Sequence, residues 1–212
     1  LHEGMDPVMV TEGAHLARAS GKPPKAISDA GVAVTAYSVT VPAGMTRFTL
    51  RYQGKIDHPI DKQKGTPGII AEDGLYLSPE SCWYPRFDVA LLSFRMDVKV
   101  PDSWQAISQG DRTSFKRFGD SLVFRWDSPG PLEDIFLIGG PYVQMVLAAP
   151  VRSMIFLRKS ADVALEARYL LAASASIGTY GKWLGAYPYK KLAIIENFWE
   201  HDVNRPGFIL LG

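Results

Sequence analysis

The stretch YPYKKLAIIENFW, residues 187–199, combines an uninterrupted apolar run with two polar residues directly after it. The apolar run, residues 192–195, predicts a short strand that is buried on both faces. Glu196 and Asn197 then place a carboxylate and an amide at the end of that strand. An ionised carboxylate in a cleft can hold a cation such as the free ammonium group of a peptide. The residues alone leave a second reading open, in which Glu196 is a carboxylate in a surface turn.

Residues upstream of this stretch alternate between apolar and polar side chains. The alternation is strict in residues 46–52 and 94–100, which predicts antiparallel strands with one face in a core and one in water. Further strands are expected at residues 116–118, 122–126, 135–139, 143–148, 154–158 and 208–211. Many short strands joined by Gly- and Pro-rich turns are typical of a sandwich or an open barrel. We therefore predict that residues 1–158 form a mainly β, antiparallel β-sandwich domain.

Two segments of this region do not alternate. Residues 57–74 are rich in Gly, Pro, Lys and Asp, which predicts a long loop. Residues 6–19 are weakly patterned, and helix or irregular structure is expected there.

The pattern changes at residue 160, from which apolar residues recur at helical spacing as far as residue 177. Ser160 is a favourable N-cap, and Asp162 suits the positive end of the helix dipole. Gly178 and Gly181 are expected to weaken or end the helix. This helix and the strands after it predict a second domain of α+β type, residues 159–212.

The composition excludes several classes of function. The 212 residues carry a formal net charge of +1 and no cluster of Lys and Arg, so nucleic acid is not an expected partner. No apolar run reaches the roughly 18 residues that cross a bilayer, so no transmembrane segment is expected. The single cysteine, Cys82, leaves both a cytosolic and a bacterial extracytoplasmic location open. Its neighbours Trp83 and Tyr84 predict a packed thiol rather than a reactive one.

No metal site and no catalytic nucleophile can be recognised in the sequence. A zinc-binding helix would carry two histidines four positions apart, and a serine hydrolase would carry a Gly-x-Ser-x-Gly turn. Neither pattern occurs, and the histidines are dispersed as His2, His15, His58 and His201. We therefore expect no catalytic residue, metal ligand or cofactor in this chain itself.

Four pieces of the sequence, in this order, resemble the gluzincin zinc aminopeptidases, the family of membrane alanyl aminopeptidase and leukotriene A4 hydrolase. The pieces are Leu77-Ser-Pro-Glu80 with Trp83-Tyr-Pro85, Asp134-Ile-Phe-Leu-Ile-Gly139 with Tyr142, Tyr187-Pro-Tyr189 with Lys191-Leu192, and Ile194-Ile-Glu-Asn197. The resemblance runs from about residue 35 to the end, and the last piece with residues 206–212 looks most like bacterial members. The order of the pieces is more specific than any one of them.

The resemblance implies a saddle-like amino-terminal sandwich followed by the first helix and strands of a thermolysin-like domain. In the family, the glutamate of the Glu-Asn motif binds the free amino group of the peptide substrate, a role that maps onto Glu196 beside Asn197. Glu80 is implied as a second anchor for the amine. The strand at residues 192–197 would then be an edge or near-edge strand along which the peptide binds as an added strand.

The resemblance also implies what this chain lacks. The zinc ligands, the general base and the transition-state tyrosine of the family would all follow Gly212, so the chain alone is expected to be inactive. Zinc is expected in a longer parent, whose other part would be a partner of this chain. We expect exposed apolar surface where that part docks, with Phe198, Trp199 and residues 208–211 as candidates.

Two alternatives remain open at this point. One is a complete, non-catalytic β-sandwich that binds a peptide or glycan through the aromatic residues Trp83, Tyr84, Trp104 and Trp126. The other is a degenerate relative that kept the scaffold and lost catalysis. The predicted helix and the strand that ends at Glu196 favour the enzyme fragment, because a closed binding sandwich does not need them.

Overall fold

The computed structural model describes residues 1–20, 31–61, 64–87, 91–128, 130–158 and 163–212. Within these ranges the chain is mainly β with one α-helix, which confirms the predicted fold class. The strands are β1 (Met5–Met9), β2 (His15–Arg18), β3 (Tyr37–Thr40), β4 (Leu50–Gly54), β5 (Gly68–Ala71), β6 (Gly74–Leu77), β7 (Arg95–Pro101), β8 (Gln105–Ser108), β9 (Asp111–Phe118), β10 (Ser121–Asp127), β11 (Leu137–Gly140), β12 (Val143–Leu147), β13 (Arg152–Leu157), β14 (Lys191–Glu196), β15 (Val203–Arg205) and β16 (Phe208–Leu211), and the helix is α1 (Val163–Leu184).

Three sheets build the core. Their strand orders are β7-β10-β9, β5-β6-β11-β8 and β12-β13-β14-β16-β15. Alternation along β10 buries Leu122, Phe124 and Trp126. Every position of β6 and β11 is buried, so the two central strands of the four-stranded sheet are covered on both faces. The rings of Phe136 and Phe208, 6.1 Å apart, join it to the five-stranded sheet in one hydrophobic cluster.

The amino-terminal strands correct two predictions. Residues 6–19 contain β1 and β2, which pair with β4 and β3, so helix at that place is wrong. The predicted loop at residues 57–74 contains β5, which pairs with β6. Gly68 lies so close to Ser81 that a Cβ atom there would come within 2.7 Å of the Ser81 Cβ. The glycine therefore marks close packing of a strand rather than a loop.

The helix α1 is longer than predicted. It passes through Gly178 and Gly181 and continues to Leu184, and Gly185 follows with a φ of 92°. A helical glycine costs only about 1 kcal/mol relative to alanine, and a long helix packed on a sheet tolerates that cost. The left-handed Gly185 is a common helix terminator. The predicted cap residues Ser160 and Asp162 lie outside the described residues.

The five-stranded sheet is partly parallel. The strands β13, β14 and β16 run parallel, and α1 is the crossover between β13 and β14. The sheet therefore includes strands from both sides of the predicted boundary at residue 159. That boundary lies outside the described residues, and the division into two domains stays a prediction.

The strand that ends at Glu196 is central, because β14 is third in the order of five. The prediction of an edge or near-edge strand is therefore wrong. The physical reason is visible in its composition, since an apolar run on both faces is typical of a strand covered on both sides. The edges of this sheet are β12 and β15.

The apolar surface lies only partly where it was predicted. Phe208 and Leu210 are fully buried, while Phe198 and Trp199 pack against the core, so these four candidates are wrong. Ile209 and Leu211 of the same strand are half-buried. Alternate residues of β16 point into the core, and the apolar run alone did not indicate which ones. Several exposed apolar side chains lie on α1, where Trp183 is 72% exposed.

Candidate functional site

Glu196 is the last residue of β14, and its side chain is exposed. Its Oε2 atom accepts a hydrogen bond of 2.7 Å from the backbone N–H of Arg158, which directly follows β13. The two residues meet because β13 and β14 are parallel neighbours and end at the same edge of the sheet. The carboxylate therefore has a fixed position at the carboxyl ends of these strands.

Arg158 connects this carboxylate to the rest of the fold. Its Nη1 donates to the carbonyl oxygen of Asp73 at 2.6 Å, in the turn between β5 and β6. The guanidinium carbon lies 5.7 Å from the centre of the Phe198 ring. Burial raises the pKa of the nearby Tyr142 hydroxyl, and the charge of Arg158 opposes that rise. Sequence reasoning missed Arg158, because nothing local to residue 158 indicates its distant partners.

Asn197 is buried and closes the turn that follows β14. Its Nδ2 donates to the carbonyl of His201 at 2.8 Å, and its Oδ1 accepts from the N–H of Phe198 at 2.9 Å. The backbone N–H of Asn197 donates to the carbonyl of Leu211 in β16. The side-chain amide is thus engaged at both ends in shaping the turn.

Glu80 lies in a single 3-10 turn, Pro79–Ser81, and is exposed. It lines a groove of about 600 Å³ together with Tyr76, His201 and two residues of β15, Val203 and Arg205. Burial raises the pKa of Tyr76, and the charge of Glu80 adds to that rise while Arg205 opposes it. The groove therefore holds a carboxylate and a guanidinium whose charges both act on the Tyr76 hydroxyl. We call it the polar groove.

The structure does not bring the three predicted site residues to one cavity. Glu196 and Asn197 are adjacent at the end of β14, whereas Glu80 lies in the polar groove. Within the described part of the chain, Glu196 is not among the residues that line this groove. A substrate-binding role for Glu196, Asn197 and Glu80 stays a prediction.

The edge strand β15 is a further element that sequence reasoning missed. It pairs with β16, no other strand of the described residues pairs with its second edge, and its residues border the polar groove. The turn between them is Pro206-Gly207, with a φ of 80° at Gly207. A Pro-Gly pair is typical of a type II turn, so this signal was present in the sequence. The other edge of β15 can accept an additional strand.

Two of the four histidines, His2 and His58, lie close together, but their hydrogen bonds do not favour metal binding. The ring atoms His2 Nε2 and His58 Nε2 are 3.0 Å apart, and His2 Nδ1 accepts a hydrogen bond from the N–H of Gly4. A neutral His2 therefore carries its proton on Nε2 and donates it to His58, which leaves that nitrogen unsuited to a metal. Across the described ranges, no group of three or more His, Cys, Asp or Glu residues could hold a metal ion.

The remaining sequence candidates are packed. Cys82 is buried, and burial raises the pKa of its thiol, so the predicted packed cysteine is confirmed. Trp126 is fully buried and Tyr84 is buried, while Trp83 and Trp104 pack against the core. These aromatic residues do not form an exposed platform for a ligand. In the described part of the chain, no helix is long and apolar enough to cross a membrane.

The architecture is that of the amino-terminal half of M1 zinc metallopeptidases. A mutant two-domain M1 zinc metallopeptidase bound to L-arginine is similar to 97% of the chain, with a TM-score of 0.67 and 16% identity. A mutant M1 zinc metallopeptidase from Deinococcus radiodurans, bound to a Tyr-Ser-Ala substrate, is similar over 100% of the chain with the same TM-score and identity. An M1 zinc metallopeptidase from the same organism is similar over 97%, also with a TM-score of 0.67 and 16% identity.

These similarities concern the fold, because the identity is 16%. The chain spans about half the length of these solved structures, 50% of the first and 51% of the second. No protein-family model matches the sequence. No curated protein matches it either.

Proposed function

We propose that this chain is the amino-terminal half of a zinc-dependent, aminopeptidase-like metallopeptidase. In this proposal it supplies the scaffold and the site for the amino terminus of a peptide, and it is inactive without the other half. The observation that carries the proposal is the match of nearly the whole chain to half of several M1 zinc metallopeptidases.

The polar groove supports a peptide-binding role. Glu80 offers a carboxylate for the ammonium group, and the free edge of β15 offers backbone hydrogen bonds to an extended peptide. Glu196 and Asn197 then act at the end of β14, where they fix the turn that leads to β15. A direct contact between Glu196 and the amine remains part of the proposal, since the carboxylate is exposed.

The uncovered apolar surface supports a docking role for the other half. A groove of about 490 Å³ runs between the carboxyl-terminal half of α1 and the strands β14 and β16, and Leu184, Leu192 and Ile209 line it. Leu184 is 82% exposed. The helix contacts β13 and β12, so the outer face of β14 and β16 is left half covered. Apolar surface of this kind is characteristic of an interface.

In this proposal the zinc ion supplies the chemistry of hydrolysis, and this chain supplies peptide binding. A bound zinc ion would activate water and polarise the scissile carbonyl group. The residues of this chain would hold the peptide by its amino group and align its backbone. No step of hydrolysis is assigned to a residue of this chain.

The proposal is tested by reading the source gene beyond the codon for Gly212. We expect an open frame that encodes His-Glu-x-x-His and a later glutamate within about a hundred codons. A stop codon directly after Gly212 would contradict the proposal. A longer frame without a zinc motif would also contradict it.

A further inference from the structure

Lys191, the first residue of β14, is a buried amine, 3% exposed. Its Nζ donates a hydrogen bond of 2.9 Å to the carbonyl of Gly207, in the turn between β15 and β16. The same carbonyl accepts the backbone N–H of Ala193 at 3.0 Å. The lysine therefore holds this turn against the start of β14.

The amine also contacts the sandwich. Its Nζ lies 5.1 Å from the centre of the Trp126 ring in β10, and Trp126 is fully buried. The Nε1 atom of Trp126 has no hydrogen-bond partner in the described part of the chain. Lys191 thus occupies a seam between two sheets, where a buried charge has few groups to compensate it.

The charged groups near the seam include two from β9 and the neighbouring lysine, and the hydroxyl of Tyr187, whose pKa burial raises, contacts the backbone of Gly207. Asp111 carries the carboxylate, and it also pairs with Lys190 at 3.3 Å. Arg112 adds a positive charge, and its Nη1 donates to Gln144 at 2.9 Å. Burial lowers the pKa of Lys191 from 10.5 to about 7, Asp111 opposes this, and Arg112 adds to it.

We propose that Lys191 is a positioning residue that works as a proton-dependent latch on the β15–β16 turn. The neutral amine keeps the turn closed against the sandwich, and protonation favours release of the turn. Since β15 forms a wall of the polar groove, the latch regulates the shape of that groove. This last consequence rests on the proposed function, whereas the latch itself does not.

The direction follows from proton linkage. In an open turn, water reaches Lys191 and its pKa returns towards the ordinary value of 10.5. The open state therefore binds more protons than the closed state between about pH 7 and 10.5. Raising the pH in this range stabilises the closed turn, by at most about tenfold per pH unit.

The amide hydrogen of Ala193 reports on the latch, because it bonds the same oxygen as Lys191. Its hydrogen-exchange protection factor is measured by NMR at several pH values from about 7 to 9, with correction for the intrinsic rate. We expect protection to rise in the natural chain and to stay flat in Lys191→Met. Lys99→Met, at an exposed lysine of β7 that is not among the charged groups of the seam, is the matched control and should keep the natural slope.

A flat profile in the natural chain would overturn the latch, as would an unchanged slope in Lys191→Met. If Lys191→Met does not fold, the natural chain still decides the question through an NMR titration of the Lys191 ε-methylene group. A midpoint near 7 supports the latch, and one near the ordinary value of 10.5 overturns it. Neither measurement uses a peptide or zinc, so failure of peptide binding would count against the proposed function alone.

Discussion

Arg158 donates its backbone N–H to the Oε2 atom of Glu196 over 2.7 Å, although the two residues are 38 positions apart. The side chain of Arg158 meanwhile reaches Asp73 between β5 and β6. The carboxylate at the end of β14 is therefore tied, through one arginine, to the four-stranded sheet. Because this contact lies within the fold, the contribution of Glu196 to the stability of the chain can be measured without a peptide, apart from any role in binding.

Replacement of Glu196 by alanine should lower the free energy of unfolding by about 0.5–1.5 kcal/mol, because the N–H of Arg158 loses its acceptor. The measurement is urea unfolding of the two proteins side by side. Glu200→Ala removes an exposed carboxylate from the following turn and is the matched control. Equal stability of the two variants would contradict a structural role for Glu196.

Replacement of Glu80 by glutamine should weaken the binding of a tripeptide with a free amino group by about tenfold or more, because a charge-assisted hydrogen bond is lost. Binding is measured by NMR titration of the 212-residue chain, with the N-acetylated tripeptide for comparison. Glu72→Gln changes an exposed carboxylate outside the polar groove and should bind as the natural chain does. If Glu80→Gln also keeps its affinity and its preference for the free amine, Glu80 is not the anchor.

Acidification should destabilise the chain through His2. Burial lowers the pKa of His2, and the charge of His58 lowers it further. The folded chain then holds this proton less tightly than the unfolded chain, so stability is lost as the pH falls through the ordinary value of 6.5. Urea midpoints at about pH 7.5 and 5.5 should differ more in the natural chain than in His2→Gln. His15→Gln, at an exposed histidine, is the control, and a shift shared by all three proteins would refute the prediction.

Replacement of Trp183 by serine should reduce self-association of the isolated chain. The side chain is 72% exposed and belongs to α1, which borders the groove of about 490 Å³ beside β14 and β16. Its removal takes away apolar surface that two copies can bury against each other. Sedimentation velocity over a range of concentrations should show about tenfold weaker association. Lys182→Ser alters the neighbouring exposed position without removing apolar surface. A natural chain that is monomeric at all concentrations would contradict the prediction.

The elements that could be predicted from the sequence are those with a strong local period. The alternation at residues 94–100 and the apolar run at residues 192–195 each indicated a strand at the place of β7 and of β14. Gly68 was misleading, because its need for a glycine comes from Ser81, a contact made only in the folded chain. The order of strands in a sheet is likewise not a local property, so the central place of β14 was missed.

For the candidate site, single residues could be predicted from the sequence, but their arrangement in space could not. Glu196 stands out by residue type and context, and Glu80 was implied only by the family resemblance; their separation depends on how the sheets meet. Arg158 and Lys191 carry no local signal, since one acts through Asp73 and the other through Gly207. The Pro206-Gly207 pair was a readable turn signal, and it would have identified β15 as a hairpin partner of β16.

The position of β16 has a consequence for how the chain acquires its shape during synthesis. It follows β15 in sequence but lies between β15 and β14, and its residues Phe208 and Leu210 are fully buried. While β16 is still inside the ribosome, β15 has no neighbour and the edge of β14 that pairs with β16 is open to water. The strand β15 can therefore join the sheet only after β16 has been synthesised, although β16 comes later in sequence. Until β16 emerges, the growing chain exposes an unpaired sheet edge that can associate with other chains.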